Sequence, residues 1–81
     1  MTASNNDHYK RIRTALGLSN TEVADVLCLG GREITKSRAD GWGRGEHDKR
    51  RFVRMTDDDF DAFTHGLVAW CRQNVRQDEE A

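Results

Sequence analysis

RIRTALGLSNTEVADVL at residues 11–27 and ITKSRADGWGRG at residues 34–45 decide how this chain is read. Each carries a helix start and a helix stop, and Gly30-Gly31 turns the chain between them. Ser19-Asn20-Thr21-Glu22 has the capping-box spacing, in which the serine hydroxyl accepts the backbone N–H at Glu22 and the glutamate reaches back. Gly17, just before it, suits the left-handed position that closes the preceding helix. A second start falls at Thr35, with Ile34 turned inward ahead of it, and Trp42 with Gly45 closes the unit. Two short helices around a glycine turn are the punctuation of a helix-turn-helix.

Helix one is expected to start at Asn6-Asp7, with Tyr9, Ile12 and Leu16 on its apolar face and Lys10, Arg11 and Arg13 opposite. Helix two should bury Val23, Val26 and Leu27, with Ala24 beside them. Helix three should run from Lys36 to Arg44, although Gly41 and Gly43 each cost about 1 kcal/mol relative to alanine. Trp42 must then hold it by packing. Residues 44–54 read as a polar, basic loop anchored at Phe52 or Val53. Thr56 caps a last helix whose first turn, Asp57-Asp58-Asp59, suits the positive end of the helix dipole. Phe60, Phe63, Leu67, Trp70 and Cys71 keep its period. The expected fold is all-α, a compact bundle of four to five short helices with a helix-turn-helix-like core. Residues 1–5 are expected to be a disordered N-terminus, 6–75 the domain and 76–81 an acidic frayed tail.

Eighty-one residues, 36% hydrophobic and 33% charged, leave little apolar material for a deep pocket, so the composition argues against an enzyme. His8, His47 and His65 share no i, i+4 spacing and have no nucleophile paired with them, and consecutive aspartates on a helix point apart. Catalytic residues, metal ligands, cofactors and a small-molecule substrate are therefore not expected. Cys28 and Cys71, on apolar helical positions, read as buried free thiols, which fits a reducing, cytoplasmic setting. No apolar run reaches membrane-spanning length and MTASNND is no signal peptide, so no membrane partner is expected.

The net charge of −1 conceals an uneven distribution. Residues 32–54 hold eight Lys/Arg against four Asp/Glu, while residues 55–81 hold two against seven. A basic island therefore precedes an acidic end. Thr35, Lys36, Ser37, Arg38, Asp40 and Arg44 would face a major groove, where arginine and lysine meet guanine acceptors or phosphates. Lys49, Arg50, Arg51 and Arg54 would run as a wing along the phosphate backbone, with the helix-one basic residues beside them. The leading expectation is a small non-catalytic regulator of transcription that binds specific DNA as a homodimer, joined at Trp70 and Cys71. The alternative is a protein-binding module that inhibits or adapts a larger complex, of the phage or plasmid small-inhibitor type, without nucleic acid. A third reading has the acidic helix imitate nucleic acid.

NND at 5–7, RIRTALGLS at 11–19, LGGREITKS at 29–37, Trp42 and DAFTHGL at 61–67 together resemble the YehS-like family of bacterial domains of unknown function. The resemblance spans about Asn5 to Gln73. It implies an all-helical domain, commonly present as two tandem copies, and brings no activity or catalytic residues. One copy lies in this chain, with Gly43 where a large apolar residue is usual, which suggests that two chains pair to rebuild the tandem. A looser similarity is to Cro/repressor-type helix-turn-helix domains. LGLSNTEVADVL resembles the first helix of that motif and ITKSRADGWGRG its recognition helix, with about five residues more than usual between Ala24 and Trp42.

Overall fold

The structure, a computed structural model, describes the backbone of residues 3–80 and the side chains of residues 3–74. It has four helices: α1 (Asn5–Leu16), α2 (Asn20–Leu29), α3 (Lys36–Trp42) and α4 (Asp57–Glu80). Among the described residues there are no strands, and no fifth helix forms. Nor is α4 short, at 24 residues. The acidic tail expected at 76–81 lies where side chains are outside the described residues.

Local chemistry sets the ends of the helices. Both halves of the Ser19–Glu22 capping box form, at 3.1 and 3.0 Å. Gly17 closes α1 at φ 64°, in the left-handed region that glycine enters without a Cβ penalty. Thr35 caps α3 by accepting the Arg38 N–H. Thr56 and Asp59 form a reciprocal pair at the start of α4, where the aspartate run had suggested only dipole stabilisation. The first helix starts earlier than Asn6-Asp7 implied. Ser4 is its cap and shares a capping box with Asp7, which frees Asn6 for a different task.

The core is built on Tyr9, Leu18, Val23, Val26, Leu27, Ala39, Trp42, Met55, Ala62 and Phe63, with Ile12, Ile34, Val53, Phe60, Leu67 and Trp70 packed around it. Tyr9 sits at its centre. Its ring meets Trp42 edge-on at 5.6 Å and Phe63 at 5.1 Å, and its hydroxyl donates to the Ala39 carbonyl at 2.8 Å. Three apolar positions fall elsewhere than expected. Leu16, one turn beyond Ile12, is 44% exposed at the end of α1. Cys28 is exposed because it lies one residue off the stripe that Val23, Val26 and Leu27 bury, about 100° around the helix. Cys71 is half-buried, and both thiols are free.

The second and fourth helices meet backbone to backbone. A Cβ at Gly30 would strike the carbonyl of Ala62, and one at Gly66 the carbonyl of Val26. Small residues on both sides thus bring the two helices together with nothing between them. No helix among the described residues is long and apolar enough to cross a membrane.

Candidate nucleic-acid interface

The third helix is shorter than its sequence suggested. It ends at Trp42 rather than Arg44, because Gly43 N–H and Arg44 N–H turn back to Asp40 and Gly41 through i→i−3 bonds. Its second half is committed to the core, with Ala39, Gly41 and Trp42 buried. Only its first turn is presented, with Thr35, Lys36, Ser37 and Arg38 all exposed. The hydroxyl of Thr35 is already occupied as a cap.

Gly41, which weakens the helix by propensity, is there because another strand of backbone passes over it. A Cβ at that position would lie 2.7 Å from the Arg51 carbonyl and 2.6 Å from Cγ2 of Val53. The Val53 N–H donates to the Gly41 carbonyl at 3.0 Å. The basic loop is therefore fastened along α3. Upstream, the Asp48 carbonyl accepts the Arg51 and Phe52 N–H groups, and its side chain accepts the Arg51 N–H at 3.3 Å. Of the two expected anchors, Val53 packs on the core while Phe52 stays half-buried. Met55, with 2% of its surface exposed, is the deeper anchor, and a lone methionine in a polar stretch gave no periodic signal of it.

Asn6 ties these pieces together. Its amide nitrogen donates to the Trp42 carbonyl at 3.1 Å and to the Val53 carbonyl at 2.9 Å. Its oxygen accepts the Met55 N–H at 2.9 Å. One buried side chain thus joins the end of α3 to both sides of residue 54, filling three of the four hydrogen bonds an asparagine can make.

The basic residues divide into two sets. Arg44 is paired with Asp40 at 3.0 Å, and Arg54 approaches Glu46 at 3.9 Å with both side chains exposed. On α1, Lys10 lies 3.9 Å from Asp7. Arg13 donates to the Leu18 carbonyl at 2.9 Å and to the Tyr9 hydroxyl at 3.3 Å, so it braces the α1–α2 turn instead of facing a ligand. Among the described residues, Arg11, Lys36, Arg38, Lys49, Arg50, Arg51 and Arg72 are exposed and form no ion pair, and five of these lie on α3 and the loop. Outside this region, Arg32 lies 2.9 Å from a carboxylate oxygen of buried Asp59. That oxygen accepts no well-aligned hydrogen bond, so the contact is held by charge alone.

Trp70 and Cys71 are both half-buried on α4, and Val68, two residues before Trp70, is 54% exposed. No group of three or more His, Cys, Asp or Glu residues among those described could hold a metal ion. A shallow depression lies between α2 and the segment before α3, lined by Asp25, Cys28, Glu33 and Thr35 among others.

Fold and surface together define a small helical domain with exposed cations on α3 and on the loop that follows it. The chain belongs to the family described as Protein of unknown function (DUF1456), which matches residues 5–72. No curated protein and no solved structure matches it.

Proposed function

We propose that this domain is a non-catalytic DNA-binding regulator. The exposed first turn of α3 faces the duplex, and the fastened 49–54 loop lies along the phosphates. The observation that carries the reading is that Lys36, Arg38, Lys49, Arg50 and Arg51, exposed and without an ion pair among the described residues, lie on two segments joined by the Gly41–Val53 hydrogen bond. Cations without an intramolecular partner release counterions from DNA at no cost in broken ion pairs. Arg44 and Arg54, each beside a carboxylate, contribute less.

With one turn of α3 free, a single copy reads few base pairs, and sequence selectivity calls for a homodimer. Titration of labelled duplexes by fluorescence anisotropy at 50 and 200 mM salt tests it. Arg38→Ala should cost about 1–3 kcal/mol on a preferred site and less on others. Arg50→Ala should weaken all sequences equally and lower the salt slope by about one unit. Absence of binding at 50 mM salt defeats the reading.

A second reading, docking to a protein, draws on α4. Val68 is exposed there and Cys71, three residues on, is half-buried, near where the homodimer contact at Trp70 and Cys71 would also fall.

A further inference from the structure

Asn6 is buried, with 4% of its surface exposed, yet it belongs neither to a helix cap nor to the apolar core. Its three hydrogen bonds go to backbone groups 36, 47 and 49 residues away in sequence. All three backbone groups lie at the ends of the segments that carry the exposed cations. Trp42 ends α3, and Val53 and Met55 bracket the exit of the 49–54 loop. Such a network specifies a conformation strongly, because an unsatisfied member in the interior is costly. Among the described residues, the 49–54 part of the loop is joined to α3 directly by the Val53 N–H, which donates to the Gly41 carbonyl at 3.0 Å.

Taking the DNA-binding reading as its premise, we infer that Asn6 is a positioning residue for the interface. It fixes the spacing between the cations of α3 and those of the loop, so that both sets reach phosphates at once. The side chain touches no ligand. It sets how many cations engage together, and a rigid arrangement loses less freedom on binding than a loose one.

The test compares wild type with Asn6→Ala, with a 20-base-pair duplex as the probe, at a temperature where circular dichroism shows both chains helical. With Lys49, Arg50 and Arg51 no longer held in place, the variant should bind about tenfold more weakly at 50 mM salt. Its plot of log affinity against log salt should be shallower by about two units, since each phosphate contact contributes about 0.9. A loss of stability alone leaves that slope unchanged in the folded chain. Equal affinity and equal slope overturn the inference while leaving the DNA reading intact. No binding by wild type overturns both.

Should Asn6→Ala fail to fold, amide hydrogen exchange on the wild-type chain decides. Val53 and Met55 N–H groups protected as strongly as those of Val26 and Leu27, with protection unchanged by DNA, are the expected result. Exchange at the rate of open loop residues, or protection acquired only on adding DNA, overturns the idea of a surface built before binding.

Discussion

Replacing Gly66 by alanine sets two physical effects against each other. By helix propensity, alanine in the interior of α4 should stabilise the domain by about 1 kcal/mol. At this position, however, the new Cβ would lie 2.9 Å from the Val26 carbonyl carbon and 3.0 Å from the Gly30 nitrogen, with the Val26 oxygen closer still. These are the two ends of the 3.0 Å hydrogen bond that closes α2. Both obstacles are backbone, so no side-chain rotation relieves them. Moving the helices apart by on the order of 1 Å forfeits a quarter to a half of the dispersion energy across the contact. Overpacking of this kind costs about 1–3 kcal/mol. With backbone on both sides, the upper end applies, leaving a net loss of about 2 kcal/mol. For a domain of this size, thermal denaturation should show Tm lower by roughly 8–16 °C. A Tm equal to or above wild type would refute the argument, because propensity would then outweigh the contact.

Three further outcomes follow from named contacts. Tyr9→Phe removes the hydrogen bond to the Ala39 carbonyl and should cost about 1–2 kcal/mol by urea denaturation. Burial pushes the Tyr9 phenol above its usual pKa of 10.0, against the opposing pull of Arg13. The unfolded chain therefore releases this proton first, so wild type should lose stability as pH rises past about 10 and the phenylalanine variant should lose less. The hydrogen bond from the Ser4 backbone, followed by that from its hydroxyl, holds the Asp7 carboxyl below its ordinary 3.8. Its contribution is present above that value and disappears as pH falls through the lower folded value. Asp7→Asn should therefore narrow the stability difference between pH 5 and pH 2 in thermal melts. Finally, Arg32→Ala takes the charge partner from the buried Asp59 carboxylate, leaving it the Thr56 N–H, and should destabilise by about 1–3 kcal/mol at pH 7, whereas Lys36→Ala, on the surface, should change stability little.

What could be read in the sequence was what is local. Ser19 with Glu22, Gly17, Thr35 and Thr56 announce helix ends within four residues, and each stands where its spacing placed it. The buried stripe of α2 followed from period, and the core position of Trp42 from the need to hold a glycine-weakened helix by packing. The features that shape the candidate interface depend on partners far along the chain. Asn6 resembled a cap because asparagine favours caps, and nothing near it in sequence reveals Met55 as its partner. Gly41 is a weakness by propensity, and its reason, Val53 lying on it, is twelve residues away in sequence. The division of the arginines was half visible: Asp40 and Arg44 have i, i+4 spacing, but Arg13 turning inward to Leu18 needed the geometry of the α1–α2 turn.

Asn6 also constrains how the chain folds as it is synthesised. It is made well before the carbonyls and N–H it serves, which come at residues 42, 53 and 55. The glycine crossing of α2 waits longer still, for residue 66. Until then α1 has its cap but no packed interior, and water must satisfy the asparagine. Pairings this distant slow folding relative to a simple helical hairpin. They also bind early and late segments into one cooperative event, so that the basic edge takes its shape only when nearly the whole domain is present.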